Sequence, residues 1–198
     1  MMVMDNLLPD DVRKERAKDL LGMGRLEEAR ELLSELCRDD QRDVEIWFMY
    51  STANARLERF EDVITACRKA LEIEPDYLPA LNSLASALAA LGRHAEATVE
   101  FATVLRLAPD NPSVLSNYGH ALALSGRTAE ARRALENAVR IQPFYAEAHY
   151  NLAVLLDQIG LPAEALREYE QAATLKPELT QLRGERLGQL REVVRGRS

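Results

Sequence analysis

Apolar residues along this chain fall in runs of helical spacing that are interrupted at a constant interval. In LNSLASALAAL, residues 81–91, Leu81, Leu84, Ala85 and Leu88 recur at steps of three and four, the spacing of one helix face. The run stops at Gly92, and a second run holds Ala97 and Phe101. RLAPDNP, residues 106–112, then reads as a stop followed by a start. Pro109 lacks an amide donor and its ring clashes with the preceding turn. Asn111 and Pro112 read as an N-cap and a first helical residue.

The same stop recurs. Pro75, Pro109, Pro143 and Pro177 are spaced by 34 residues, and the register run backwards puts Gln41 where a fifth proline is missing. The expected division is an extension over 1–9, units over 10–43, 44–77, 78–111, 112–145 and 146–179, and a remainder over 180–198. Gly24, Gly92, Gly126 and Gly160 are the fifteenth residues of four units, with Glu58 in that place in the second. A glycine between two periodic runs supplies the conformation that ends one helix before the next. Each unit therefore predicts helix, short turn, helix and stop. The eighth residues (Ala17, Ser51, Ala85, Gly119, Ala153) and the twentieth (Ala29, Val63, Ala97, Ala131, Ala165) are mostly small, which lets paired helices approach closely. Cys67 shares the register of Phe101, Leu135 and Tyr169 and reads as a small buried hydrophobe.

Helical geometry separates two faces on each first helix. The fourth, seventh, eighth and eleventh residues lie together and are apolar, while the second, fifth, ninth, twelfth and thirteenth lie opposite. The ends differ from the middle. The first helix, DDVRKERAKDLLG, places Arg13 and Arg16 at positions that hold Trp47 and Tyr50 in the next unit, and reads as an N-terminal cap. At the other end Leu182, Leu187, Leu190 and Val194 among arginines predict a solvating final helix, weakened near Gly184 and Gly188.

Composition narrows the function classes. The net charge of −7 argues against nucleic acid as a partner, and no basic stripe with interleaved aromatics occurs. The local +3 of residues 180–198 reads as a solvated helix end. No run approaches the roughly 18 apolar residues of a membrane span. The opening MMVMDNLLPDD has neither a basic start nor a long apolar run, so no secretory signal is expected. Cys37 and Cys67 lack zinc spacing and suggest no disulfide framework, which points to a reducing, cytoplasmic setting. His94, His120 and His149 are scattered, with no nucleophile placed beside them. Carboxylates alternate with Arg and Lys at helical spacings, as solvated pairs do. No catalytic residue, cofactor or metal site is expected.

The 34-residue helix–turn–helix unit with these small, aromatic and proline offsets resembles the tetratricopeptide repeat. AEAHYNLAVLLDQIGLPAEALREYEQAATLKPEL, residues 146–179, is similar to the family pattern along its length, and Trp47 stands where the family often has tryptophan. The resemblance covers 44–179 closely and 10–43 loosely. It implies an all-α fold, a right-handed α-solenoid of antiparallel helix pairs with a C-terminal capping helix. It also implies that the polar face of the first helices lines a concave groove that binds a peptide or helical segment of a partner protein. The residues so marked are Phe48, Thr52 and Arg56 in the second unit, Asn82 and Ser86 in the third, Ser116, Asn117 and His120 in the fourth, and Tyr150, Asn151, Val154 and Asp157 in the fifth. Asparagine amides both donate and accept, so they suit a peptide backbone of any sequence. The cations of this face, Lys14, Lys18 and Arg56, do not make the convergent basic pocket with which some family members hold a carboxylate. The alternative reading is a substrate-recruiting or regulatory module of a larger enzyme, as in some glycosyltransferases and sulfotransferases. Self-assembly through Phe144 or the final helix, docked on a second copy, is a third.

Overall fold

The structure, a computed structural model, describes residues 8–181 and 183–196. Residues 1–7 of the expected extension, Leu182, Arg197 and Ser198 lie outside the described residues. Among the described residues there are twelve helices and no strand: α1 (Asp10–Gly22), α2 (Leu26–Asp39), α3 (Val44–Arg56), α4 (Phe60–Ile73), α5 (Leu78–Ala90), α6 (His94–Leu107), α7 (Pro112–Leu124), α8 (Thr128–Ile141), α9 (Ala146–Gln158), α10 (Pro162–Leu175), α11 (Glu178–Gln181) and α12 (Gly184–Arg195). The fold class is the expected all-α solenoid of antiparallel helix pairs.

The starts and stops have local causes. Asn111 is extended, and its Oδ1 accepts from the Val114 amide at 3.2 Å ahead of Pro112. Asp43 caps α3 in the same way, accepting from Glu45 N at 2.8 Å and Ile46 N at 3.1 Å. Between first and second helices the chain turns through the left-handed region, at Gly24, Gly92, Gly126 and Gly160 with φ between 74° and 77°. Glu58 makes the same turn with φ 57° and bears the side-chain crowding that glycine avoids.

Two compact units divide the chain, with the boundary between Glu100 and Phe101 inside α6. In the first, α1 packs on α2, α2 on α3, α3 on α4 and α4 on α5. Its core joins Ala17, Leu33, Leu36, Ile46 and Ala53, with Trp47 and Tyr50 packed against it. In the second, α7 packs on α8, α8 on α9, α9 on α10, and α10 on α11 and α12. Leu122, Leu135, Leu152, Leu156, Tyr169 and Leu190 fill its core. First helices between two second helices are buried over a wider arc than the apolar stripe implies. The third and tenth residues, such as Ile46, Ala53, Ala148 and Leu155, are also enclosed.

The small positions sit where helices touch. Ala17, Ala29, Ser51, Ala131, Ala153 and Ala165 are fully buried. At Gly119 a Cβ would meet Leu135 Cγ at 2.6 Å and the Ala131 carbonyl oxygen at 3.2 Å, so α7 and α8 are as close as a hydrogen atom allows. Both cysteines are buried, and burial pushes the Cys37 thiol up to about 12 and the Cys67 thiol up to about 11.

Three details correct the expectations. In the helix read as a cap, Arg13 at the Trp47-equivalent position is itself buried, and its guanidinium meets Asp39 at 2.7 Å and Asp10 at 3.1 Å. The helix expected from 180 onward is two pieces: Thr180 Oγ1 bonds back to the Pro177 carbonyl at 3.1 Å and the Arg183 amide to the Thr180 carbonyl at 2.9 Å, closing a turn after α11. α12 then runs through Gly188 without a break.

Two sets of variants test these causes. Gly126→Ala should cost about 1 kcal/mol from backbone conformation alone, since nothing lies within 4 Å of the added carbon. Glu58→Gly should act in the opposite sense and stabilise by about 0.5 kcal/mol. Gly119→Ala gains about 1 kcal/mol of helix propensity but forces Leu135 aside, so urea unfolding should show a net loss of about 1–2 kcal/mol. A net gain would mean that Leu135 swings away freely.

Candidate functional site

The marked residues lie on the first helices, some exposed and some covered, and each unit holds its share differently. In the first unit Phe48 stands half-buried on α3, its ring set edge-on to Tyr77 at 5.6 Å between centroids. Thr52 Oγ1 donates to the Phe48 carbonyl at 3.0 Å and spends its proton inside the helix. Arg56 Nη1 donates to the Leu21 carbonyl at the end of α1. Ser86 is exposed. Asn82 is half-buried, and its Oδ1 is enclosed without a hydrogen-bond partner.

The two lysines of this face are held by carboxylates. Lys14 Nζ lies 2.7 Å from Asp43 and 2.6 Å from Glu45, and Lys18 Nζ 3.2 Å from Glu45 and 2.9 Å from Glu15. Burial works against the Lys14 charge, but the bonds to Asp43 and Glu45 outweigh it and raise its pKa. Burial likewise opposes the Asp43 charge, and the bonds from Lys14 and the α3 amides overcome it and lower its pKa.

In the second unit Asn117, on α7, is exposed, as is His120 one turn on. Ser116 is a correction: it is fully buried and offers no surface. Its position turns it toward α9, where its hydroxyl accepts from Asn151 Nδ2 at 3.0 Å. That bond fixes the plane of the Asn151 amide while the side chain stays half-buried at the surface.

The fifth repeat's share of the face is engaged by the C-terminal segment, a second correction. Arg183 Nε donates to the Tyr150 hydroxyl at 3.0 Å, and its guanidinium carbon lies 5.9 Å from the Tyr150 ring centre. Arg186 binds Asp157 through two bonds, at 2.9 Å and 2.6 Å. Val154 packs against the core that Leu187 and Leu190 complete. The residue alternation placed Tyr150, Val154 and Asp157 on one helix face but carried no signal of what packs over them.

The sequence reading missed a ladder of charge at the turns. Arg25, Arg93 and Arg127 hold Glu28, Glu96 and Glu130 three residues on, while Arg59 reaches back to Glu27 at 3.1 Å. Their spacing of 34 residues was the available signal. His149, at a core-facing register, is buried, with Nδ1 at 2.7 Å from Glu168 Oε2 and Nε2 at 2.9 Å from the Pro143 carbonyl oxygen. Among the described residues no group of three or more His, Cys, Asp and Glu is placed to hold a metal. No helix among them is long and apolar enough to cross a membrane.

The Asp43 junction has a testable pH signature. A carboxyl with a lowered pKa in the folded state stabilises above its unfolded pKa, and that contribution is lost as pH falls through the folded value. Asp43→Asn keeps a capping oxygen and loses the ion pair, so it should cost about 0.5–1.5 kcal/mol near pH 7. The gap to the unsubstituted chain should close as pH is taken below the ordinary carboxylate range of about 4. Urea midpoints across that range read it directly.

Comparison with known proteins matches this geometry. A tetratricopeptide repeat model matches residues 14–77 and 117–179, and a second tetratricopeptide repeat model matches 54–117. No curated protein matches the sequence. Among solved structures, MamA 41-end from Desulfovibrio magneticus RS-1 superposes with a TM-score of 0.80 at 20% identity, covering 85% of this chain and 96% of that one. TTC0263, a thermophilic TPR protein in Thermus thermophilus, gives 0.68 at 21% identity, covering 92% and 98%. These likenesses are of fold. With its 34-residue pairs, left-handed turns and small contact positions, the chain belongs to the tetratricopeptide repeat family.

Proposed function

We propose that this chain is a scaffold that receives an extended segment or a helix of a partner protein on the open face of its first helices. Proteins built of this repeat are typically non-catalytic and engage other proteins, which supports the general reading. The observation that carries the finer one is the Ser116–Asn151 bond. It orders a surface amide in advance, so that less side-chain freedom is lost when a peptide backbone binds. Asn117, on the neighbouring first helix, offers a second amide to the same segment. Two buried free thiols support a reducing, cytoplasmic setting. The acidic balance supports protein over nucleic acid as the partner.

Peptides selected from a displayed library on the immobilised chain provide the test. Asn117→Ala with Asn151→Ala should weaken a selected peptide by about 5- to 150-fold in calorimetric titration, the sum of two lost hydrogen bonds. Because Asn151 also satisfies buried Ser116, the pair should cost about 1 kcal/mol of stability, read separately by urea unfolding. Arg132 is tied to Glu136 and Glu164 on the second helices, so Arg132→Ala with Arg133→Ala should leave affinity unchanged. The reverse pattern moves the site off the first helices.

A further inference from the structure

The charge of the chain is unevenly divided. Residues 1–100 hold 21 acidic against 13 basic side chains, a net −8, and residues 101–198 hold 11 against 12, a net +1. On the first unit this excess borders a cleft with a charged lining and, beyond it, an aromatic pair. A cleft of about 430 Å3 runs along α1 to the start of α3, lined by Asp11, Val12, Lys14, Glu15, Lys18 and Glu45. Val12 on its rim is 44% exposed. One turn beyond Glu45 stand Phe48 and Tyr77, edge to face.

The surroundings of Tyr77 carry the argument further. Burial raises its phenol pKa first, and the carboxylates of Glu45, Glu74 and Asp43 raise it further against the opposing charge of Lys14. The geometry beside it is local: Glu45 lies one turn before Phe48 on α3, and the Tyr77 amide donates to the Glu74 carbonyl at 3.1 Å, so a carboxylate residue flanks each ring along the chain. Lys14 and Lys18 are already shared among Asp43, Glu45 and Glu15, which leaves the carboxylates of this face in excess. Glu74, at the end of α4, is exposed. A half-buried aromatic pair flanked by Glu45 and Glu74 attracts a cation twice, through ring quadrupole and through charge. An anionic segment would face Asp11, Glu15 and Glu45 along the same cleft, whose two lysines are already paired with carboxylates.

We propose that the open face of the first unit is a binding surface for a basic protein segment, with an arginine or lysine side chain seated over Phe48 and Tyr77 between Glu45 and Glu74. The proposal rests on the reading that first-helix faces bind polypeptide and names the partner chemistry for one of them. The Asn117 and Asn151 test concerns the second unit, so either can fail while the other stands.

The experiment uses the full chain and two labelled probes followed by fluorescence anisotropy, a twelve-residue peptide of alternating Arg and Ser and its Glu and Ser twin. At about 20 mM salt the arginine peptide should bind at least about 10-fold more tightly than its twin. Phe48→Ala should weaken it by about 3- to 10-fold, and Glu45→Gln with Glu74→Gln by about 5- to 20-fold. Asp62→Asn with Glu72→Gln removes the same charge from α4 and should change affinity by less than about 2-fold. Circular dichroism confirms that each variant is folded, and Phe48→Leu, which keeps bulk without the ring, replaces Phe48→Ala if that variant unfolds. Equal binding of the two peptides overturns the proposal. So does an equal loss in the Asp62 and Glu72 variant, which would leave only diffuse attraction.

Discussion

The structure depends on how closely paired helices can approach. Gly119 against Leu135 and the Ala131 carbonyl shows the limit, where a single added carbon has no room. The same contact is met elsewhere by alanine, at Ala17 and Ala29 or at Ala153 and Ala165, all fully buried. Dense packing at this point gives the dispersion energy of each pair, and the larger residues Leu122, Leu135 and Tyr169 fill the space beside it. Because the contact repeats with the sequence period, neighbouring pairs within each unit are built on the same close approach.

Charge organises what packing leaves exposed. Ion pairs at the turns are individually weak because they are solvated. Their value lies in position: Arg59 to Glu27 and Arg93 to Glu61 join one turn to the turn before it. Nearer the core, Arg13 ties α1 to α2 through Asp39, and Lys14 ties α1 to the start of α3 through Asp43 and Glu45. Arg183 and Arg186 close the other end over Tyr150 and Asp157. The marked face is thus partly consumed by the chain itself, and the surface left exposed differs between the two units.

Much of the fold was legible because its causes are local. A proline, an N-cap and a left-handed glycine each act within a few residues, so Asn111, Pro112 and Gly126 could be read in the chain and stand in the structure as read. The family resemblance added how the pairs assemble. The candidate site was less legible because exposure is decided by neighbours distant in sequence. Ser116 faces an asparagine 35 residues away, and Asp157 an arginine 29 residues away. Arg13 shows the same limit from the other side: a cation at a core register is buried because Asp39, contributed by the next helix, arrives to meet it.

Glu58 has a further consequence, in the order of events during folding. Each helix pair closes through a local loop, so most of the contacts that define it are short-range and form early. The α7–α8 and α9–α10 pairs turn at glycine, whose left-handed conformation is already frequent in the unfolded chain. The α3–α4 pair must wait for a glutamate to reach φ 57°, and Asn54 beside it is buried with its Oδ1 unpartnered where Leu88, Leu122 and Leu156 occupy the equivalent place. That hairpin is a poor starting point. On conformational grounds the glycine-turned pairs are the better placed to close first, and α3 with α4 the worse.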